Sequence, residues 1–273
     1  MNPDAGDTPP QHDALPRRLL VTGASRGIGA AVARALLARG ARLAVVGRRR
    51  EALEALTGGG PEHAVLVADL AQPAEAETCV ERAVDVLGGL DGFVSCAGVV
   101  EYAGLPAIDA GAIDRQLAVN LVSPLRMAQR AVGPMRSAGG GSMLFVASTL
   151  ALKPAPLTAA YAASKAGLIA AVRALALELA ESAIRVNALA PGVVETDMVR
   201  ALRLRPGMVP PGPQAEAAHI ARQLEQLRGL HPLGRLGRPE DVAESALYML
   251  GAPFVTGTVL LVDGGLSLGS GAP

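Results

Sequence analysis

The sequence contains few aromatic residues, few cysteines and no net charge, and these scarcities argue against several classes of protein. Only 2% of the 273 residues are aromatic, and Trp is absent. The 25 basic and 25 acidic residues cancel, which argues against nucleic acid or an anionic membrane as the main partner. The two cysteines, Cys79 and Cys96, give no disulfide framework and predict a reducing, cytoplasmic location.

Three further absences narrow the class of protein. No apolar run reaches the length expected of a bilayer span, so no membrane segment is predicted. Residues 1–16 have no apolar stretch and are predicted to be a disordered tail rather than a signal peptide, and residues 270–273 a short C-terminal tail. No metal site is expected, because the four histidines lie far apart in the sequence: His12, His63, His219 and His231.

Half of the residues are hydrophobic, which is enough for one large core. Short apolar runs alternate with longer helical segments, and the runs are continuously apolar, as in a sheet covered on both faces. This alternation predicts one doubly wound α/β domain over residues 17–269, with a parallel sheet and helices on both faces. The predicted strands are 19–22, 42–47, 63–68, 91–96, 142–147, 184–190 and 258–262. The predicted helices are 27–39, 50–57, 73–87, 114–137, 159–182, 215–227 and 240–250.

One long connection, between Val194 and Pro239, contains no strand pattern. Residues 205–213 within it include four prolines and two glycines. A connection of this length in a compact domain is usually functional or disordered. We therefore predict a substrate lid at about residues 195–235, with a disordered insertion as the alternative.

A glycine-rich turn follows the first predicted strand. Its glycines, Gly23, Gly27 and Gly29, permit a tight turn and let the backbone approach a ligand closely. The helix starting near Gly27 offers unpaired N–H groups and a positive dipole end, which suit a pyrophosphate. In this strand, turn and helix context the spacing predicts a dinucleotide site, with a plain structural turn as the alternative.

The end of the second predicted strand indicates which dinucleotide is bound. An acidic residue at this place usually binds the ribose 2′-hydroxyl of NAD. Three arginines, at positions 48–50, stand there instead. Because an arginine can hold a 2′-phosphate with a bidentate fork, Arg48 is the predicted NADP ligand, assisted by Ser25 and Arg26. The alternative is that the three arginines only begin a solvated helix.

Tyrosine and lysine, both scarce in this chain, occur together once. Tyr161 is one of three tyrosines and Lys165 one of two lysines, and their spacing places them on one helix face. Because an ammonium favours a phenolate, we expect Lys165 to lower the pKa of Tyr161 into the range of acid–base catalysis. Ser148, after the preceding strand, is placed to hold a substrate oxygen, and Asn120 is placed to interrupt the long helical region. A coincidental pair is the alternative.

Together these residues resemble the short-chain dehydrogenase/reductase family, from about Leu19 to Leu268. The resemblance implies a single Rossmann-type domain with a seven-stranded parallel sheet, usually assembled as a homotetramer. The matching positions are Thr22, Gly23, Gly27, Gly29, Asp69, Ala97, Gly98, Asn120, Ser148, Tyr161, Lys165, Asn187, Pro191, Gly192 and the run Val262, Asp263, Gly264 and Gly265.

The resemblance also implies a role for each residue. Tyr161 exchanges a proton with the substrate oxygen, while Lys165 lowers the tyrosine pKa and binds the nicotinamide ribose. Ser148 orients the carbonyl, Asn120 holds a water in a proton relay, and Asp69 contacts adenine. The other implied cofactor contacts are Gly23, Ser25, Arg26, Gly27, Ile28, Gly29, Arg48, Leu70, Ala97, Gly98, Pro191, Gly192, Val194 and Thr196.

Cys96 departs from the family, which usually has Asn before the Ala97 and Gly98 positions. The hydrogen bonds of that Asn side chain to neighbouring strands are then lost. The backbone contact at Ala97 and Gly98 is expected to survive. We interpret Cys96 as a buried small residue rather than a reactive thiol.

The implied activity is NADP(H)-dependent hydride transfer between nicotinamide and a ketone or secondary alcohol, with NAD(H) as the alternative cofactor. The broad resemblance is to 3-oxoacyl-carrier-protein reductases, although stretches 137–141 and 178–182 offer no cation to an acidic carrier. Because the lid is rich in Leu, Met and Pro, we predict a small, largely apolar or cyclic substrate.

Two alternatives remain at this stage. Residues 195–198 and the C-terminal end resemble 2,3-dihydro-2,3-dihydroxybenzoate dehydrogenases, which implies NAD-dependent oxidation of a cyclic dihydrodiol. The three arginines argue against it, as does Glu101, an acid where a carboxylate substrate would prefer a base. A non-catalytic dinucleotide sensor is the other alternative, but both Tyr161 and Lys165 are retained.

Overall fold

Seven parallel strands form the centre of the computed structural model, which describes residues 15–200 and 212–269. The strands are β1 (Arg18–Thr22), β2 (Arg42–Gly47), β3 (Ala64–Val67), β4 (Gly92–Ser95), β5 (Gly141–Val146), β6 (Ile184–Pro191) and β7 (Val259–Val262). The helices are α1 (Gly27–Leu37), α2 (Arg50–Thr57), α3 (Pro73–Leu87), α4 (Ala110–Leu117), α5 (Ser123–Ser137), α6 (Ala159–Glu178), α7 (Asp197–Arg200), α8 (Pro213–Gly229) and α9 (Pro239–Gly251).

The strand order is β3-β2-β1-β4-β5-β6-β7, and every pair is parallel. The predicted fold class, a doubly wound sheet with helices on both faces, is therefore confirmed. The order reverses between β1 and β4, so the connections leave β1 and β4 in opposite directions. Ligands of such sheets bind at the carboxyl ends of the strands beside this reversal.

Apolar residues fill both faces of the sheet. Successive residues of a strand point to opposite faces, and Leu19 and Leu20 accordingly belong to different core clusters. One face packs against α3, α5 and α6, where the rings of Phe93 and Phe145 meet edge to face at 5.6 Å. The other face packs against α1 and α9. Burial on both sides leaves the strand ends as the place for polar chemistry.

The long helical region predicted over residues 114–137 is interrupted. Helices α4 and α5 are joined by a π-helical turn at Ala118–Val122, which contains Asn120. The predicted interruption at Asn120 is thus confirmed. The interruption coincides with a contact to a neighbouring loop, where the Asn120 side chain is hydrogen-bonded to the backbone of Val99. Such π-turns occur frequently at functional sites.

The expectation that no apolar segment is long enough to span a membrane is wrong for α6. This helix has 20 residues and a mean hydropathy of 1.3. Its apolar composition has another reason, since Leu168, Val172 and Ala176 pack into the core against the sheet. A helix packed into a core can match the length and the apolar composition of a bilayer span.

The predicted tails and lid fall partly outside the described residues, which exclude 1–14, 201–211 and 270–273. Within the described part, the connection after β6 contains the short helix α7 and the longer helix α8. Helix α8 includes the predicted helix 215–227. Val194 also forms a single bridge with Gly237, which ties the two ends of this connection together. Among the described residues, no group of three or more His, Cys, Asp or Glu side chains could hold a metal ion.

We expect Gly23→Ala to destabilise the protein more than Gly40→Ala does. Both glycines have a positive φ, 67° and 76°. A Cβ on Gly23 would lie 2.8 Å from the Ala97 backbone nitrogen, whereas a Cβ on Gly40 would meet nothing within 4 Å. The left-handed backbone alone costs about 1–2 kcal/mol. Urea unfolding of the two variants should show a loss of that size for Gly40→Ala and a larger one for Gly23→Ala; equal losses would contradict the steric argument.

Candidate active site

A cavity of about 230 Å³ lies at the carboxyl ends of β1, β2 and β4. It is the place where the sheet order reverses, and α1 begins at its floor. Most of the predicted cofactor residues line it: Gly23, Ser25, Arg26, Gly27, Ile28, Gly29, Arg48, Asp69, Leu70, Ala97, Gly98 and Thr196. The topology thus brings together residues that lie far apart in the sequence.

The glycine turn forms a cradle that larger residues would fill. A Cβ on Gly29 would lie 2.3 Å from the Gly23 carbonyl oxygen, and one on Gly27 would lie 3.1 Å from the Thr196 side chain. Helix α1 has no side-chain cap and no acidic residue in its first turn. Its first N–H groups are therefore available to an anion, as a pyrophosphate site requires.

The arginines around this cavity differ in their partners. Arg49 donates to the Ser25 carbonyl oxygen at 2.9 Å, and Arg50 pairs with Glu54 on α2. Arg26, expected to assist with the phosphate, instead pairs with Asp197 at 3.0 Å across the cavity. Within the described residues Arg48 lines the cavity without an ion pair, so it is the arginine best placed to meet a 2′-phosphate.

The wall formed by β3 and β4 carries the remaining predicted contacts. Asp69 is exposed, and its carboxylate accepts from the Ala71 backbone N–H at 3.1 Å. The Thr22 hydroxyl accepts from the N–H groups of Cys96 and Ala97, which fixes the turn after β4. Burial raises the pKa of the Cys96 thiol to about 12, so the thiol stays protonated and is a poor nucleophile.

A second cavity, of about 520 Å³, adjoins Ser148 and Tyr161. We call it the substrate cavity, and the first one the cofactor cavity, after the roles predicted for their residues. The loop between β5 and α6 forms one wall, and the segment after β7 forms another. The predicted lid contributes Met198 and Val199 from α7 and Leu227 from α8. Its described lining is mostly apolar.

Tyr161 lies at the start of α6, and only 9% of its surface is exposed. This burial raises the pKa of Tyr161 to about 12, a hydrogen bond with Ser148 lowers it, and Tyr102 raises it further. The expected lowering by Lys165 is not found. Desolvation of the phenolate outweighs any stabilising charge, so the phenol stays protonated at neutral pH.

Lys165 lies one helical turn further along α6 and is 3% exposed. Its ammonium donates to the Val146 carbonyl oxygen at 2.8 Å and stands 6.0 Å from the centre of the Tyr161 ring. Burial lowers the pKa of Lys165 to about 8. A Cβ on Gly98, which lines the first cavity, would lie 3.5 Å from its Nζ, and Tyr161 lines the second, so Lys165 lies close to a residue of each cavity.

The Asn120 side chain is largely occupied by protein partners. Its Oδ1 accepts from the Val99 N–H, and its Nδ2 donates to the Val99 carbonyl and to Ser164. Only one Oδ1 lone pair is left for a relay water. The relay role therefore stays a prediction, whereas the contact observed here is structural.

The residues after β6 divide between the two cavities. Gly192 lines the substrate cavity, and Thr196 lines the cofactor cavity. Pro191 ends β6 and Val194 is 4% exposed; neither is among the residues that line these cavities.

Sequence reasoning missed two groups of residues. His231 is 4% exposed and bridges α8 to the loop after β6, because its ring contacts the Leu227 carbonyl and the Val193 N–H. No spacing marked it. The segment after β7 was matched only as a family motif, yet Leu266, Ser267 and Gly269 line the substrate cavity. Only the fold brings this segment next to the loop between β5 and α6.

Comparison with known proteins finds relatives over nearly the whole chain. The family model described as enoyl-(acyl carrier protein) reductase matches residues 23–267. A 3-oxoacyl-[acyl-carrier-protein] reductase of Bos taurus is 37% identical over 249 residues, covering 91% of this chain and 97% of the relative. Carbonyl reductase family member 4 of Xenopus laevis is 35% identical over 248 residues, with coverage of 91% and 97%.

Solved structures of related proteins also match this chain over nearly its whole length. A Sinorhizobium meliloti 1021 protein described as a short-chain alcohol dehydrogenase superposes with a TM-score of 0.80 at 32% identity, covering 95% of this chain and 100% of the other. The aldohexose dehydrogenase of Thermoplasma acidophilum superposes with a TM-score of 0.81 at 26% identity, covering 93% and 95%.

The burial of Lys165 should be visible as a pH dependence of stability. Its pKa is about 8 in the folded protein against 10.5 ordinarily, so the unfolded chain binds more protons between these pH values. The folded state is therefore stabilised as pH rises through this window. We expect the unfolding free energy of the wild type, minus that of Lys165→Met, to rise by about 2–3 kcal/mol across it.

Chemical unfolding at several pH values measures this difference. Lys153→Met, which removes the exposed second lysine, is the control and should show no such trend. A flat difference for Lys165→Met would contradict the lowered pKa.

Proposed function

The chain belongs to the short-chain dehydrogenase/reductase family, and we propose that it is an NADP(H)-dependent member that reduces a ketone with Tyr161 as the proton donor. The family relation makes it an oxidoreductase acting on CH–OH groups. One observation supports the proposal most: Ser148 and Tyr161 line the apolar cavity, and the Lys165 ammonium lies near both the Tyr161 ring and Gly98 of the glycine-lined cavity.

The residues present fit a dinucleotide. The glycine cradle and the free N–H groups of α1 would hold the pyrophosphate, and Asp69 and Leu70 would border the adenine. Gly98 and Lys165 would lie beside the nicotinamide ribose. When bound, the nicotinamide supplies or accepts the hydride.

The protein supplies the proton. In the reductive direction the Tyr161 hydroxyl donates its proton to the carbonyl oxygen while the carbonyl carbon is reduced, and the product is an alcohol. A pKa of about 12 keeps Tyr161 protonated at neutral pH, which suits the reductive direction. Ser148, which is hydrogen-bonded to Tyr161, would orient the same carbonyl. Lys165, with a pKa of about 8, is mostly protonated at neutral pH and holds a positive charge 6.0 Å from the centre of the Tyr161 ring.

The preference for NADP rests on Arg48. Arg49 and Arg50 are engaged by protein partners, and positions 48–50, directly after β2, contain no acid that would repel a phosphate. Arg26 would add a second cation when its pair with Asp197 opens. Both cations stand near the end of β2, where the adenosine ribose lies in this type of fold.

The apolar cavity supports a small ketone as substrate. The relatives named as 3-oxoacyl-[acyl-carrier-protein] reductases make a carrier-bound thioester the second candidate. The surface that a carrier would meet was expected to lack cations, but Arg136 in the last turn of α5 reaches it and donates to Ser182 at 2.9 Å. A single cation is little for an acidic carrier, so the small ketone remains the favoured class.

The NAD-dependent dihydrodiol dehydrogenase and the non-catalytic sensor remain as alternatives. The first needs NAD in place of NADP, and the second needs a chain that binds the cofactor without turnover. Cofactor preference tests the first alternative, and loss of activity on mutation of Tyr161 tests the second.

We expect the wild type to bind NADPH more tightly than NADH, and Arg48→Asp to weaken NADPH binding about 10–100-fold. The carboxylate would repel the 2′-phosphate and remove a charged hydrogen bond. Fluorescence titration with both cofactors measures this, and Arg50→Asp, whose side chain already pairs with Glu54, is the matched control. A wild type that prefers NADH would refute the proposed contact between Arg48 and the 2′-phosphate. It would favour the NAD-dependent dihydrodiol dehydrogenase instead.

Tyr161→Phe should reduce ketone turnover about 10²–10⁴-fold, because the proton donor is removed. NADPH binding should be nearly unchanged, which shows that the variant is folded. Tyr248→Phe, an exposed tyrosine on α9, serves as the control. Oxidation of the alcohol should accelerate with rising pH, since it needs the phenolate of a group with a raised pKa. Full activity of Tyr161→Phe would remove Tyr161 from the mechanism.

A further inference from the structure

The substrate cavity contains one charged side chain among its described lining residues. That side chain is Lys153, in the loop between β5 and α6. The rest of the described lining is apolar or neutral and includes the hydroxyl groups of Ser148, Thr149 and Tyr161. A single charge among otherwise neutral lining residues favours ligands that carry the opposite charge.

The ammonium of Lys153 lies at the wall formed by the segment after β7. A Cβ on Gly269 would stand 3.5 Å from its Nζ. Within the described residues no carboxylate lies within ion-pair distance of Lys153, although exposed arginines elsewhere are commonly paired. Its charge is thus available to a ligand.

The acidic residues beside the cavity are held by other partners. Glu101, taken above as an argument against a carboxylate substrate, pairs with Arg115 at 2.7 Å and does not line the cavity. Asp263 accepts from the N–H groups of Gly265 and Ser267. Glu195 pairs with Arg200. The described residues therefore leave this cavity with one positive charge and no opposing negative one.

We propose that the substrate is an oxo acid: a ketone with an apolar body and a carboxylate that Lys153 binds. This inference rests on the proposed ketone reduction and names its substrate class. The carbonyl would meet Ser148 and Tyr161, and the carboxylate would meet the Lys153 ammonium beside the segment after β7. The pairing is a charge-assisted hydrogen bond, and Lys153 acts as a specificity residue rather than a catalytic one.

The test uses pairs of ketones in which one carboxyl group is either a free carboxylate or a neutral methyl ester. The probes are 4-oxocyclohexanecarboxylate, 5-oxo-5-phenylpentanoate and the methyl ester of each, reduced with NADPH. The readout is the ratio of kcat/KM for the acid to that for its ester. We expect this ratio to exceed unity in the wild type and to fall about tenfold or more in Lys153→Met.

Two further variants make the result specific to the charge. Lys153→Arg should keep most of the ratio, and Lys153→Glu should lower it below the value of Lys153→Met. Arg82→Met, which removes an exposed cation on α3 that lines neither cavity, should leave the ratio unchanged. A ratio that favours the ester in the wild type, or that Lys153→Met does not change, would overturn the proposal. So would a lysine effect seen only with phosphate-bearing carrier or coenzyme A thioesters.

Binding is measured separately from turnover. Calorimetric titration of the four probes into the protein with NADPH, for the wild type and Lys153→Met, compares acid and ester directly. If no ketone is reduced but the acids still bind through Lys153, the oxo acid site stands and the proposed reaction fails. If the esters are reduced and the acids neither bind nor react better, the reaction stands and the oxo acid proposal fails.

Discussion

The parallel sheet is the constraint on which the rest of this structure depends. All seven strands are paired in one direction, and helices cover both faces, so the strand interiors are mainly apolar. A polar side chain buried there needs a partner, as Asn187 of β6 shows by donating to the Val255 carbonyl and accepting from the Thr258 N–H. The polar groups of the candidate site lie at the strand ends. Because the strands run in one direction, the residues after β1, β2, β4, β5 and β6 meet at a single edge. That edge holds the glycine cradle, the arginine at the end of β2 and the Tyr161 site.

Burial at this edge also controls the acid–base chemistry. Tyr161 and Lys165 lie on one face of α6 against β5, where desolvation opposes both charged forms. The phenol becomes a weaker acid and the ammonium a stronger one, so the two pKa values move apart. A protonated tyrosine at this position is consistent with the proton donor proposed above. The same burial gives Lys165 a cost in stability, which the Val146 carbonyl offsets in part.

The substrate cavity is assembled from segments without a common pattern. The loop before α6, the helices α7 and α8 and the segment after β7 each contribute a wall. His231 ties α8 to the loop after β6, so that the described part of the lid is joined to the catalytic edge by hydrogen bonds. Specificity in such a site depends on the few polar groups left among apolar ones. Lys153 is the one charged side chain among the described residues that line this cavity, which is why the proposed choice between acids and neutral ketones depends on it.

The sequence alone determined the fold class, and it supplied the glycine turn and the Tyr161 and Lys165 pair as candidates for the dinucleotide site and for catalysis. These follow from local rules: apolar runs define strands, a glycine spacing defines a turn, and a four-residue spacing places Tyr161 beside Lys165. Tertiary structure decided which charges are free. Arg26 is paired with Asp197 and Glu101 with Arg115, whereas Lys153 and Arg48 have no ion pair among the described residues. It also reversed the expected pKa shift of Tyr161. Burial and pairing depend on residues distant in sequence, and no spacing within one segment can report them.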